Sequence, residues 1–351
     1  MIHIQREPKY RNVEDAFFPV SMRQATCTGS RGIERPIPGY YAIWDDERDT
    51  PFTVVSRHYK LITNRDAYRM AEALAMGVFG RYLDEFKCYN IYMPQTGGSC
   101  RIDLILPQSR FYPFGNEQES WTPFIRISNS YNRTIRLRYE IGFCRWICLN
   151  GVIFGKKGYS ISFAHLEKED WRYKMGRFVE EVREKLGPID AMITAIKDKL
   201  GQLYQISIPA EYVVPMFCKV FNIPDVDSED VTPASRLKYL IQADSIKKSG
   251  ESYYDELGGN AYAMMNILTD FASFPVGRVS QTMVHSYQSK VGEWVNSLVE
   301  ESAKADFDIE DFIGEKAMKH AEKIEARIPV PPMDIQEHYP APRQQAIRWD
   351  Y

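Results

Sequence analysis

The chain has 351 residues, enough for two domains or for one large domain with appendages. Its net charge of −3, from 44 basic and 47 acidic side chains, excludes a protein that coats nucleic acid by bulk positive charge, so any such binding must come from a local patch. An apolar share of 44% permits a sizeable core, no run of about 18 apolar residues predicts a membrane span, and the start lacks a signal peptide's apolar stretch; the cytosol is the default.

Residues 1–38 carry Pro, Gly and charge without clear periodicity and read as an irregular arm, with Ala25 to Gly32 as a small, polar loop. From Tyr40 the pattern turns β. Tyr40–Trp44 and Phe52–Ile62 flank a turn-like stretch from Asp45 to Pro51. Asn64 is placed to cap a helix whose buried stripe is Ala67, Met70, Ala71, Leu74 and Val78. Strands resume at Phe86–Met93 and Cys100–Leu106, joined by a turn over 95–99. Further strands are expected at Phe124–Ser128, Thr134–Ile141 and Phe143–Leu149. Asn129–Asn132 is a turn, and Asn150-Gly151 a hairpin signal that leads to Val152–Phe154 and Tyr159–Phe163.

After His165 the period changes to that of helices. Trp171–Leu186 is helical until Gly187-Pro188 interrupts it, and Ile189–Leu203 resumes it. More helices follow at 210–221, 233–247, 260–273, 282–299 and 309–325. Met264, Met265, Leu268 and Phe271 form a stripe expected to pack on the sheet, and a helix face is available for a subunit interface. The fold class is therefore α+β. An N-terminal arm (1–38) precedes an antiparallel β-rich domain with at least one packed helix (39–165), a helical region (166–326) and a flexible Pro-rich tail (327–351). The last residues, Arg348 to Tyr351, read as solvated chain or, alternatively, a docking peptide.

Six cysteines lack the dense, regular spacing of a disulfide scaffold. Cys144 and Cys148 share a strand face without two further ligands at zinc spacing, so buried, reduced thiols are expected.

The most informative segment is basic. Between Phe124 and Ser160 stand Arg126, Arg133, Arg136, Arg138, Arg145, Lys156 and Lys157 against one acid, Glu140. Ile135, Leu137, Tyr139 and Ile141 fall on one strand face, with Arg136, Arg138 and Glu140 on the other. Guanidinium groups roughly 7 Å apart on one face suit neighbouring phosphates of an extended single strand, and Tyr131, Phe143, Trp146 and Tyr159 offer stacking surfaces. The same alternation also describes the wet face of a half-covered sheet, with the arginines paired to acids of the same chain. Asn129–Asn132 is explained by turn chemistry more readily than by ligand contact.

Asn129-Ser-Tyr-Asn132, followed by Cys144-Arg-Trp-Ile-Cys-Leu-Asn150, resembles the hallmark of the phage- and plasmid-borne family called domain of unknown function 932, which has Asn-Ser-His-Asp-Gly and then Arg-Val-Val-Cys-Ser-Asn. Thr53-Val-Val-Ser-Arg-His-Tyr59 resembles its early strand motif, and Glu256 to Asn266 its later segment; the likeness spans roughly residues 40–275. Here Tyr131 replaces His, Asn132 replaces Asp and Arg133 stands where Gly is usual, so a role needing that His and Asp is not carried over. The resemblance implies mobile DNA and, more distantly, the single-strand annealing recombinases, which pair a β-β-β-α core with a basic groove and assemble as rings.

No P-loop, Gly-x-Ser-x-Gly elbow or His-Glu-x-x-His helix occurs. His58 reads as a hydrogen-bonded core histidine and His165 as a helix-entry residue. The leading expectation is a single-stranded DNA (or RNA) binding protein of a phage or mobile element that anneals strands without ATP or any cofactor. Its site would comprise Arg126, Arg133, Arg136, Arg138, Arg145, Lys156 and Lys157, with Tyr131 and Trp146 for stacking; a homo-oligomer, as a ring, is expected. The alternative is a counter-defence module that masks an acidic host protein. A third reading, a metal nuclease, uses Asp103 and Glu140 with Lys156 or Lys157.

Overall fold

The structure is a computed structural model that describes residues 9–115, 119–146, 151–152, 160–277 and 281–328. Expectations for Cys148, the turn at Asn150, the strand beyond Val152, Tyr159, Lys156, Lys157 and the tail from 329 lie outside the described residues. The chain divides into two compact units: Met1–Tyr112, Glu117–Ile147 and Lys156–Thr194 form the first, and Pro113–Asn116, Cys148–Gly155 and Ala195–Tyr351 the second. The class is mixed α+β, with antiparallel sheets in the N-terminal half and helices in the C-terminal half.

The first unit holds two sheets. Strands β1 (Val20–Thr28), β2 (Glu34–Asp45) and β3 (Thr50–Ser56) form one in that order. β1 overturns the expectation of an irregular arm through residue 38 and of a loop from Ala25. Its burial shows why the sequence hid it: Arg23, Gln24, Thr26, Cys27 and Thr28 are exposed, so little apolar alternation marks the strand. The second sheet runs β4 (Lys87–Tyr92), β5 (Ser99–Ile105), β6 (Trp121–Ser130) and β7 (Leu137–Arg145). The short β8 (Gly151–Val152) follows in sequence, and β9 (Ser160–Phe163) pairs with β7. β7 is one strand rather than the expected two, because Gly142 lies in register opposite Phe124 and does not break the ladder.

Between the sheets in sequence come α1 (Asn64–Met70), α2 (Glu72–Leu74) and a π-helical turn over Ala75–Phe79. The cap of α1 is Thr63, not Asn64: Thr63 and Asp66 exchange side-chain and backbone bonds in a capping box. The Tyr139 hydroxyl donates to the Ala67 carbonyl at 2.7 Å, tying the helix to β7. α3 (Trp171–Leu186) approaches the π turn so closely that a Cβ on Gly77 would stand 2.3 Å from Val179 Cγ1. Gly77→Ala is therefore expected to cost about 1–3 kcal/mol as overpacking, measurable by chemical denaturation.

The second unit contains most of α4 (Ile189–Gln205), then α5 (Val213–Phe221), α6 (Pro233–Leu257), α7 (Ala261–Ser273), α8 (Gln281–Ser302), α9 (Ile309–Ile313) and α10 (Glu315–Glu325). The helix expected over 309–325 is split at Gly314, whose φ of +87° leaves the helical region. The Met264–Phe271 stripe packs among helices: α7 contacts α6 and α8, and Phe271 meets Phe217, Phe221 and Tyr287 at centroid distances of 5.0–5.5 Å. Asn260 caps α7 by accepting from Ala263 N–H at 2.9 Å. Cys88, Cys100, Cys144 and Cys218 are buried free thiols, while Cys27 is exposed. No described helix is long and apolar enough to cross a membrane.

Candidate nucleic-acid interface

Register decides the fate of the arginines. Asn90, Asp103, Arg126 and Glu140 lie opposite one another on β4 to β7, a polar row across the middle of the second sheet. Arg126 is 1% exposed and grips Asp103 through two bonds, Nε to Oδ1 at 2.6 Å and an Nη to Oδ2 at 3.0 Å. Arg101 adds its Nε at 3.4 Å from Asp103 Oδ2. Burial pulls the Asp103 carboxyl upward, but the charges of Arg126 and Arg101 prevail and hold it below the ordinary value of 3.8. Burial likewise pulls Arg126 down, and Asp103 overrides it.

Arg126 is thus a structural ion and not a phosphate ligand. Arg145 is corrected for the same reason: it is 2% exposed and binds Glu119, with Nε to Oε2 at 2.9 Å and a second bond from Nη2 to Oε1. The acids that the nuclease reading needs, Asp103 and Glu140, do share one row, but Arg126 stands between them. Among the described residues no group of three or more His, Cys, Asp or Glu could hold a metal ion.

Tyr131 is also corrected as a stacking surface. It is 1% exposed, packed on Ile43 and Val55, with Phe52 stacked at 5.3 Å and Phe18 edge-on at 5.5 Å. Its hydroxyl accepts the Asn64 N–H at 2.8 Å. Asn129 donates to the Ile62 carbonyl and to Asn64 Oδ1, both at 3.0 Å. Asn129 and Tyr131 thus fasten the entry to α1. Of the expected turn, Asn129 and Ser130 end β6 and the bend follows: Ser130 Oγ bonds both N–H and C=O of Ile135, and Asn132 Oδ1 accepts from Thr134. Trp146 is half-buried, with Arg110 over its ring at 5.0 Å.

What remains outward is the loop and the start of β7. Arg133 and Arg136 are exposed, and among the described residues neither forms an ion pair; Arg138 is half-buried. Arg133 adopts φ +63°, the left-handed region that glycine enters without strain. The pairing Leu137↔Phe163 puts Arg136 beside the residues that follow β9. Those residues hold a second basic segment, which sequence reasoning missed: Lys60 N–H donates to His165 C=O, Glu167 N–H to His58 C=O, and Tyr59 bridges Leu166. Arg57, His58 and Lys60 are exposed there, so His58 lies past the end of β3 and is not a core histidine. Arg57, Lys60, Arg133, Arg136 and Arg138 therefore gather at one end of the first unit. Beside them Tyr40, 50% exposed, lies opposite Ser56 on β3.

Beneath this rim Tyr59 and His165 stack, 5.1 Å apart and 7° from parallel. Burial pushes the Tyr59 hydroxyl up to about 12, with the charge of Arg133 opposing. Burial also lowers His165 below its ordinary 6.5, a neighbouring Glu169 opposing. Because the folded value lies below the unfolded one, the unfolded chain takes up this proton first. Stability is full above about pH 6.5 and falls by up to about 1.4 kcal/mol per pH unit as pH drops from there toward the folded value. His165→Phe, which keeps the stack, is expected to flatten that slope in urea denaturation at pH 7, 6 and 5.

Fold and site together define an α+β protein with a buried charge row and a basic cluster at one end of the first unit. Comparison with protein-family models, with curated proteins and with solved structures gave no match.

Proposed function

We propose that the protein binds single-stranded nucleic acid by its phosphodiester backbone, without ATP, through Arg57, Lys60, Arg133, Arg136 and Arg138. The observation that carries this reading is the exposure of Arg133 and Arg136 without acidic partners beside a second basic segment. In a protein of net charge −3 such a cluster is a local field, and five cations at one end suit a run of phosphates. Tyr40 supplies a sequence-tolerant stacking face next to it. Strand annealing extends the same chemistry: a backbone held by cations leaves base edges free to pair. The resemblance to the phage- and plasmid-borne family supports a place in mobile DNA.

Counterion release sets the test. With about five phosphates neutralised on a single strand, affinity for a labelled oligonucleotide should fall about a hundredfold between 50 and 200 mM salt. Absence of a shift at low salt overturns the reading. Cleavage of the oligonucleotide in Mg²⁺ would favour a nuclease instead.

A further inference from the structure

β1 is an outer strand, paired with β2 on one side. Its ladder shows which backbone groups face away. Asp46 N–H donates to Pro19 C=O, and Val20 lies opposite Asp45. In an antiparallel pair this makes Val20–Asp45 the non-hydrogen-bonded kind, so Ser21 and Arg23 direct their N–H and C=O groups at β2. Those of Val20, Met22 and Gln24 point to the free side. Among the described residues none of them has a backbone partner there.

We propose that β1 pairs antiparallel with β1 of a second copy of this chain, centred on Met22, joining two three-stranded sheets into one of six strands. Three features of the edge fit a second copy. The register about Met22 sets Ser21 opposite Arg23 of the other chain and Val20 opposite Gln24, so no like charges face each other. Asp46 accepts from Ser21 Oγ at 2.6 Å and from Arg23 of its own chain at 2.7 Å, which places a carboxylate where the incoming guanidinium arrives. Val20 and Met22 are half-buried against the Ile43, Val55 and Tyr131 cluster, so two Met22 side chains meeting at the dyad extend one core into the other. A nine-residue edge with no Lys is a template for this pairing. The contact is isologous and closes at two chains, unlike a head-to-tail ring. It is independent of nucleic-acid binding.

Light scattering on the full chain should give twice the 40.8 kDa chain mass at micromolar concentration. Ser21→Lys sets a lysine opposite Arg23 at both ends of the interface and should return the mass to that of one chain, with its circular dichroism unchanged. Register is read separately in a Cys27→Ser background: Met22→Cys, which opposes itself at the dyad, should cross-link under a mild oxidant, and Ser21→Cys should not. A single-chain mass at every concentration overturns the proposal. So does a dimer indifferent to Ser21→Lys, or one that cross-links through Ser21→Cys in place of Met22→Cys.

Discussion

Asp103→Ala is expected to destabilise the first unit by about 3–5 kcal/mol, a large fraction of the roughly 5–15 kcal/mol that holds a typical domain folded. The substitution leaves the Arg126 guanidinium 1% exposed in a sheet interior with its bidentate partner gone. Arg101 makes matters worse, because the same carboxylate screens its charge from that of Arg126. The cost is that of a buried cation stripped of its bidentate carboxylate, with only Glu140 still opposite it, and not of one lost hydrogen bond. Two further measurements separate this account from simple truncation. Asp103→Asn, which keeps the volume and removes the charge, should cost nearly as much in urea denaturation. Replacing Asp103 and Arg126 together by apolar residues of similar size should recover much of the loss. The pH dependence has a defined sign: the folded Asp103 carboxyl lies below 3.8, so its stabilisation is present above the unfolded value and disappears as pH falls through it toward the folded one.

The strands that sequence made legible are those buried along nearly their whole length. β5, β6 and β7 carry alternating or continuous apolar residues that only a covered sheet explains, and the helices carry stripes at their own period. β1 escaped because its outer residues are polar and its inner ones only half-covered; what holds it is the ladder to β2, which composition does not display.

The site was legible only in part, and the reason is register. Arg126, Arg136, Arg138 and Arg145 look alike in sequence, each flanked by apolar or aromatic neighbours in a strand-forming stretch. Arg126 differs because Asp103 and Glu140 arrive opposite it on the two adjacent strands, and Asp103 lies 23 positions away in sequence. Arg145 differs because Glu119 reaches it from the segment before β6. Arg57 and Lys60 went unseen because they were counted inside a strand; the signal available was two cations flanking Tyr59 just where the apolar alternation of β3 stops.

That contrast makes Arg133 and Arg136 the decisive pair. Replacing both by alanine should weaken oligonucleotide binding about 10- to 100-fold near physiological salt, since hydrogen bonds to charged groups are worth about 1.5–3 kcal/mol each and these are partly solvated. The slope of log affinity against log salt should fall by about 1.4, which is two phosphate contacts on a single strand. Folding stability should hardly move, because both side chains are exposed and neither pairs with an acid among the described residues. Arg133→Gly sharpens the point. At φ +63° an L side chain is strained, so glycine relieves about 1 kcal/mol there while removing the charge. The variant should bind more weakly and be no less stable, a combination that structural damage does not produce. Arg126→Ala should do the reverse, losing stability first and binding only with the fold. Unchanged affinity in the Arg133/Arg136 double variant would mean that this cluster touches no phosphate, and the proposed function would fall with it.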